Sequence, residues 1–259
     1  MIKSASQAAE VAWGVGAPQA EAAERGKGAP ASKNEAGMAL VIALMAMLLL
    51  MALGLTLVLN TATEAAIAGH FRVNQEALYA ADAGLERVMD ELGSAADWNA
   101  MLRGVNRSAF VDGAPSGART LSDGSTIDLA KATNLLNCGH AGSCTAAEMD
   151  ASTADRPWGV NNPRWSLYAF GLLSTLVSTG TINSNMYVAV WVSDDQSDND
   201  NDPTTDGDDA SNPGRGVITI HAEAFGPAGT HKVLEATVGR PASSQPAGGI
   251  RMIAWREIR

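Results

Sequence analysis

The residues best suited to bind a ligand lie in one acidic segment, residues 194–210. Eight aspartates fall within it, and it contains no lysine or arginine. Five of them have a spacing that suits a cation: Asp198, Asp200, Asp202, Asp206 and Asp209. Alternating aspartates direct their carboxylates to one side of a tight loop, and Ca²⁺ prefers such hard oxygen ligands. The segment therefore predicts a calcium site.

The acidic segment differs from the familiar EF-hand calcium loop. With Asp198 counted as position 1, acids also fall at positions 9 and 12, but position 6 is Pro203, where glycine would permit the sharp turn. No helical pattern flanks the segment. A calcium loop of another shape and a solvated acidic insert both fit these residues, and both interpretations stay open.

The two cysteines, Cys138 and Cys144, close a short segment that also contains His140. These residues supply only three ligands for a metal, and no further ligand cluster accompanies them. In a domain outside the cytoplasm the same cysteines would form a disulfide, which would restrain a loop with few apolar anchors. We expect the disulfide rather than the metal site.

Composition and motifs argue against two functional classes. The chain has 259 residues, 46% of them apolar, and a net charge of −10, so it can bury a core but lacks the basic surface that a nucleic acid requires. The motifs Gly-x-Ser-x-Gly and His-Glu-x-x-His do not occur, and neither does a phosphate-binding glycine loop. We therefore expect neither an enzyme nor a nucleic-acid-binding protein.

The uncharged residues 38–59 form a stretch long enough to cross a membrane. At about 1.5 Å per residue a helix of this length spans about 33 Å, against about 30 Å for the hydrocarbon core of a bilayer. The stretch is longer than the apolar core of a signal peptide and continues into a patterned helix, so we expect a retained span. Lysines and arginines in residues 1–37 favour a cytoplasmic N-terminus.

Helical patterning continues beyond the apolar stretch, over residues 60–93. A seam with spacings of three and four residues comprises Ile67, Phe71, Asn74, Leu78, Ala81, Leu85, Val88 and Leu92. Such a heptad pattern predicts an amphipathic helix that covers the core of a globular domain. Gly93 is the expected helix stop, so the long helix with its end occupies residues 38–96.

This layout resembles the N-terminal region of PilX-type minor pilins of type IV pilus systems. Two separated blocks of the chain are similar to the signature of that family in order and spacing. The matching residues are Gly37, Ala39, Leu40, Ala43, Leu44, Ala68, Gly69, Arg72, Ala77, Ala80, Ala81, Ala83 and Gly84. Asp82 stands where a glutamate is more usual in the family.

The resemblance implies cleavage by a prepilin peptidase between Gly37 and Met38, followed by N-methylation of Met38. Residues 1–37 would then be a cytoplasmic leader, which is long for a prepilin. In major pilins a glutamate at the fifth mature position neutralises the N-terminal ammonium of a neighbouring subunit, and here that position is Ile42. Because an uncompensated charge in an apolar filament core is costly, this difference favours a minor subunit at the tip.

Residues 97–259 have the pattern of a β-rich head. Turn-forming segments within residues 97–160 predict loops and one hairpin. Strand-forming segments occur at residues 165–173, 186–193, 217–225, 232–238 and 252–258. Within residues 217–225 apolar residues alternate with Thr219, His221 and Glu223, which share the opposite face. We expect an α+β, type IV pilin-like fold in which the long N-terminal helix packs on an antiparallel sheet.

These observations lead to a non-enzymatic structural role with two alternatives. The resemblance implies a minor pilin that spans the inner membrane once, then joins the extracellular pilus, primes or caps the filament and contacts surfaces in cell adhesion. Its partners would be other minor and major pilins and the prepilin peptidase. A tip pseudopilin of a type II secretion system also lacks the glutamate but usually carries a large helical insert. An unprocessed, membrane-anchored calcium-binding receptor would keep its leader.

Overall fold

A computed structural model describes residues 33–152, 158–177, 182–207, 209, 211–240 and 249–258. Most of the predicted leader, residues 1–37, therefore lies outside the described residues. The chain divides into two compact units, Met1–Asn60 and Thr61–Arg259. The described part of the first unit is helical, and the second unit contains the rest of that helix together with a β-sheet.

The first helix, α1, extends over Lys33–Ser94. It begins before the predicted start at Met38 and ends next to the predicted stop at Gly93. Alanine, leucine and methionine dominate residues 38–59, and these residue types are strong helix formers. Near its end the Trp98 indole Nε1 donates a hydrogen bond of 3.0 Å to the Leu92 carbonyl oxygen, which satisfies one of the carbonyls left open at a helix C-terminus.

A hairpin and three short helices follow α1. Strands β1 (Ala118–Thr120) and β2 (Thr126–Asp128) pair antiparallel, so the prediction of one hairpin is confirmed. The helices are α2 Asn99–Leu102, α3 Leu129–Cys138 and α4 Ala146–Asp150. The prediction of loops was wrong for these helices. The side chain of Asp128 caps the first turn of α3, and Gly139 ends it in a left-handed conformation.

Five further strands form one antiparallel sheet, in the order β3–β4–β5–β6–β7. Their bounds are β3 Ser166–Leu172, β4 Tyr187–Asp194, β5 Val217–Phe225, β6 His231–Gly239 and β7 Arg251–Ile258. Each strand agrees with its predicted bounds to within one residue, and the predicted α+β, pilin-like architecture is confirmed. Neighbours in the sheet are neighbours in the chain, because short connections suffice between antiparallel strands.

Apolar residues cover both faces of the sheet, and β4 shows how they divide. One layer, which includes α1, contains Val188, Val190 and Val192. The other layer, which includes the β1–β2 hairpin and α3, contains Tyr187, Ala189 and Trp191. Alternate side chains of a strand point to opposite faces, so a strand that is covered on both faces is apolar throughout.

The predicted helix seam is only partly correct. Leu85 and Leu92 are buried against the sheet, but Ile67 and Phe71 expose 63% and 66% of their surface. The reason is that α1 packs against the core of the head only from Val73 onwards. The earlier seam residues continue the exposed apolar surface of the first half of the helix.

Candidate functional site

The first half of α1 presents its apolar side chains without cover. The most apolar part of this helix is 0% buried, and α1 is the one described helix that is long and apolar enough to cross a membrane. Leu50 and Met51, for example, expose 68% and 74% of their surface. A helix satisfies its backbone polar groups internally, so such a surface can be buried in lipid or against other apolar helices.

The predicted cleavage site lies inside this exposed helix. A Cβ atom at Gly37 would meet no atom within 4 Å, and Met38 is 69% exposed. Ile42, the fifth residue after the predicted cleavage site, is 63% exposed. Within the described structure, packing therefore gives no reason for a glycine at position 37.

The small residues in the second half of α1 face the sheet. Ala77 and Ala80 are fully buried. A Cβ atom at Gly84 would lie 2.5 Å from Val188 Cγ1 and 3.1 Å from Val190 Cγ2, which is closer than ordinary van der Waals contact. The buried small residues of the second matching block, Ala77, Ala80 and Gly84 among them, therefore allow α1 to approach β4 closely.

The acidic segment connects β4 to β5, and backbone amides tie it to two other parts of the head. The Asp206 amide donates a hydrogen bond of 2.8 Å to Oδ1 of Asn99, the first residue of α2. The Asn201 amide donates one of 2.9 Å to Oδ1 of Asn161, the last residue of a short 3₁₀ helix. These bonds fix the path of the connection against its neighbours.

Three carboxylates of this connection converge. A carboxylate oxygen from each of Asp194, Asp198 and Asp206 lies within 4.8 Å of the other two. Asp194 and Asp198 expose only 3% and 1% of their surface. Two oxygens bound to one Ca²⁺ at about 2.4 Å are at most about 4.8 Å apart, so this spacing fits a shared cation.

Asp198 is the centre of the hydrogen bonds in the connection. Its Oδ2 accepts a bond of 2.9 Å from the Gly207 amide. Its Oδ1 accepts one of 3.1 Å from the Asp200 amide and another from the side-chain amide of Asn212. These bonds hold the carboxylate of Asp198 in one orientation inside the loop.

The other two carboxylates differ in how far they are satisfied. Asp206 Oδ1 accepts a hydrogen bond of 2.5 Å from the Gly216 amide. Asp194 Oδ1 is buried and has no hydrogen-bond partner. The ion pairs found among the described residues include none of the three carboxylates. A buried carboxylate oxygen without a partner is costly, since it has lost its water and gained nothing in return.

The crowding of acids is reflected in their pKa values. Burial, together with the neighbouring Asp198 carboxylate, raises the pKa of Asp194 to about 8. Burial also raises the pKa of Asp206, although the Gly216 amide and the positive charge of Arg240 act in the opposite direction. Ionised carboxylates in such surroundings are disfavoured unless a positive charge lies close to them.

Two of the five predicted calcium ligands point elsewhere. Asp202 and Asp209 are exposed, and each accepts hydrogen bonds from the residue two positions further on, Thr204 and Ser211 respectively. These bonds lower the pKa of both aspartates. The structure therefore gathers Asp198 and Asp206 from the predicted set but does not bring Asp202 or Asp209 to them.

Two glycines make room for the carboxylates. A Cβ atom at Gly207 would lie 3.0 Å from Asp198 Oδ2 and 3.1 Å from Asp200 Oδ2, so Asp200 borders the cluster. A Cβ atom at Gly214 would lie 2.2 Å from the Asp198 amide nitrogen and 2.6 Å from its Cα. At both positions a close approach excludes a side chain.

Asp194 is missing from the predicted ligands, although the strand pattern contains a signal for it. It is the last residue of β4, and by alternation it lies on the same face as Val188, Val190 and Val192. An acid that continues a buried apolar face must find a partner. That signal depends on the strand and is separate from the spacing of aspartates in the loop.

The predicted disulfide is confirmed. It joins Cys138, the last residue of α3, to Cys144, and their Cα atoms are 5.9 Å apart. His140, the third residue of the alternative metal site, has its Nε2 3.5 Å from Glu148 Oε1. Because both sulfurs are in the disulfide, neither is a thiolate that could bind a metal.

A second group of titratable residues lies on the face of the sheet opposite α1. Buried His221 has its Nε2 3.0 Å from Glu223 Oε1 and its Nδ1 3.6 Å from Glu235 Oε2. Exposed His231 has its Nε2 2.8 Å from Glu223 Oε2. The sequence indicated only that His221 and Glu223 share a face of β5. The partners from β6 follow from the register of the sheet, in which His221 pairs with Glu235.

Comparison with known proteins concerns the N-terminal part of the chain. The family model described as PilX N-terminal matches residues 36–86, which is consistent with a PilX-type pilin and confirms the resemblance. No curated protein and no solved structure gives a significant match. The matched residues include the predicted cleavage site, the exposed apolar stretch 38–59 and the small residues that face the sheet. Pilins are structural proteins of type IV pili.

Proposed function

We propose that this chain is a minor pilin, a non-enzymatic structural subunit that primes or caps a type IV pilus. The observation that carries the proposal is the match of residues 36–86 to the PilX N-terminal family. The geometry supports it, because the same residues form an exposed apolar helix and then the face that packs on the sheet of the head. A pilin needs the exposed apolar surface to enter the membrane and the filament, and it needs the sheet-facing surface to hold its head.

In this proposal the exposed apolar surface of α1 is buried first in the membrane and then in the filament. Before assembly, residues 38–59 hold the chain in the inner membrane as a single span. Prepilin peptidase cleaves between Gly37 and Met38, and Met38 is then N-methylated. The same surface afterwards packs against the apolar helices of other minor and major pilins. In both places the apolar side chains are kept out of water, and this hydrophobic burial is the dominant favourable term in such associations.

Ile42 supports a place at the tip rather than in the shaft. A shaft subunit has neighbouring subunits on both sides along the filament. It needs a carboxylate at the fifth mature position to neutralise the N-terminal ammonium group of a neighbour. Ile42 offers none. A subunit at the tip needs to satisfy fewer neighbours, so the missing carboxylate is tolerated there.

The alternative of a type II secretion tip subunit has less support. Beyond α1, the described helices α2, α3 and α4 have 4, 10 and 5 residues. The described part of the head therefore shows no large helical insert. The other alternative, an unprocessed membrane-anchored receptor, differs from the proposal in its N-terminus.

The first experiment measures the mass of the N-terminal peptide in sheared surface filaments and in membranes. We expect a chain that begins at Met38 with one added methyl group, present in the filament fraction. The variant Gly37→Val should remain uncleaved in the membrane, since a β-branched side chain prevents close approach to the backbone at the scissile bond.

Gly54→Val is the matched control, because Gly54 lies in the same exposed helix and a Cβ atom there also meets nothing within 4 Å. It should be cleaved normally. A wild-type chain that keeps residues 1–37 and is confined to membranes would contradict the proposal and support the anchored receptor.

A further inference from the structure

We propose that Asp194, Asp198 and Asp206 form a calcium site that fixes the connection between β4 and β5. The three carboxylates converge, and each has an oxygen within 4.8 Å of the other two. Three like charges at this distance repel one another, and burial removes the water that would screen them. A divalent cation between them replaces that repulsion with attraction.

A separate observation points to a ligand. Asp194 Oδ1 is buried in a residue that is only 3% exposed, and it has no hydrogen-bond partner. It belongs to the rigid end of β4, where its backbone is paired with Ile218 of β5. The carboxylate therefore cannot turn outward to solvent without disturbing the sheet. A cation gives this oxygen the partner that it lacks.

The donor set selects calcium among the common cations. The nearby side chains offer oxygen atoms, including Oδ2 of Asp200 at the border of the cluster, whereas zinc sites are built largely from histidine and cysteine. Three or four carboxylates, from the end of a strand and the loop after it, suit Ca²⁺, which accepts six to eight oxygens in varied geometry. Mg²⁺ demands near-octahedral ligands and keeps several waters.

This ligand set differs from the one that spacing alone predicts. Asp202 and Asp209 use Oδ1 to accept the bonds that shape their own turns, from Thr204 and Ser211. Their carboxylates therefore stabilise the path of the loop and leave the cation to the buried residues. Asp194 takes their place because it ends a strand and enters from the buried face of the sheet.

The cation would join three parts of the head. Asp194 belongs to β4 and Asp198 to the start of the connection. Asp206 is held through its amide by Asn99 of α2. A single ion would therefore link the end of a central strand, the loop and the first short helix after α1. The proposal does not depend on the pilus role, so failure of either leaves the other standing.

The test uses the full chain in detergent after treatment with a chelator. Calorimetric titration with CaCl₂ should give one ion per chain, and CaCl₂ at about 1 mM, the upper range for extracellular modules, should raise the Tm measured by tryptophan fluorescence. Asp194→Asn should weaken calcium binding at least about tenfold, since ligand charge sets affinity. Its Tm without calcium should be no lower than that of wild type, because an uncharged amide does not repel the other two carboxylates.

Asp202→Asn is the matched control, an exposed aspartate in the same loop, and its calcium affinity should stay within about twofold of wild type. If Asp194→Asn does not fold, Asp206→Asn provides the same comparison. Calcium binding that survives Asp194→Asn and Asp206→Asn but is lost in Asp202→Asn would overturn the proposed ligand set. Absence of calcium binding to wild type would overturn the site, and equal stabilisation by MgCl₂ would overturn its assignment to calcium.

Discussion

His221 shows how single residues in this head depend on one another. Its ring is 5% exposed and lies between Glu223 and Glu235. Burial favours the neutral ring, but the hydrogen bond with Glu223 and the nearby charge of Glu235 outweigh it and raise the pKa of His221. Burial likewise opposes ionisation of Glu223, yet hydrogen bonds from His221 and His231 lower its pKa to about 2.

These shifts predict how the stability of the head depends on pH. The raised pKa of His221 stabilises the fold below its ordinary value of 6.5, and this contribution is lost as pH rises through the folded value. The lowered pKa of Glu223 stabilises the fold above 4.5 and loses its effect as pH falls towards 2. Both contributions are present between pH 4.5 and 6.5. His221→Gln should therefore lower Tm most in that range, as measured by thermal unfolding over a pH series.

The control for this series is His140→Gln, because His140 is exposed and its ion pair with Glu148 lies at the surface. Its Tm should follow that of wild type at every pH. Comparing each variant with wild type removes the pH response of the acidic connection, which all three proteins share. A His221→Gln deficit that stayed constant from pH 4 to pH 9 would mean that packing alone explains the role of this residue.

At the scale of elements, α1 and β4 come into close contact at Gly84. Gly84 has no space for a side chain beside Val188 and Val190. Gly84→Val should lower the free energy of unfolding by about 1–3 kcal/mol, the usual range for overpacking in a core. Chemical unfolding of the full chain in detergent, followed by tryptophan fluorescence, measures this change.

Gly69→Val is the matched control for that prediction. Gly69 belongs to the same helix, and a Cβ atom there meets nothing within 4 Å. Both variants replace a glycine of the same helix by the same β-branched residue, so they share the same change in helix propensity. Equal unfolding free energies for the two variants would show that α1 and β4 can move apart without loss.

At the same scale, the elements differ in how well the sequence predicts them. The five main strands are rich in apolar and β-branched residues and are separated by polar or turn-forming segments, so local pattern was enough to place each within one residue. Helix α3 has a capping aspartate, Asp128, and a terminal glycine, Gly139, but its ten residues carry a weak apolar pattern. Its position is decided by packing against Trp191, whose indole Nε1 donates to Thr133 Oγ1 over 2.8 Å. Such a long-range contact is not visible in local pattern.

The proposed calcium ligands illustrate the same limit. Spacing identified the acidic connection and two of its three converging aspartates, Asp198 and Asp206. It could not separate them from Asp202 and Asp209, because all four occur at similar intervals in the chain. The choice depends on which carboxylates the fold buries, and that follows from how β4 ends. Asp194 belongs to the cluster because it ends β4 on the buried face of the sheet.

At the scale of the whole molecule, the proposed place at the filament tip predicts an effect of substitutions at Ile42. If the missing carboxylate restricts the subunit to the tip, Ile42→Glu should raise its number of copies per filament severalfold relative to the major pilin, because each added copy could then neutralise a neighbouring ammonium group. Quantitative mass spectrometry of sheared filaments measures this ratio, normalised to the amount of the chain in membranes.

Ile42→Leu serves as the control, since it keeps an apolar side chain of the same size. It should leave the ratio at the wild-type level. A ratio that does not change in Ile42→Glu, despite normal amounts in membranes, would show that features of the head restrict the subunit to the tip.

The contact of Gly84 with Val188 also sets an order of events during synthesis. A helix forms within about a microsecond, so the sheet-facing side of α1 is structured as soon as it emerges. Its partner strand is translated about a hundred residues later, which takes roughly 5–20 s at typical elongation rates. Throughout that interval the sheet-facing side of α1 stays exposed. Its alanines and its glycine offer little apolar area, so the risk of aggregation lies with Leu85, Val88 and Leu92, which follow them on the same face.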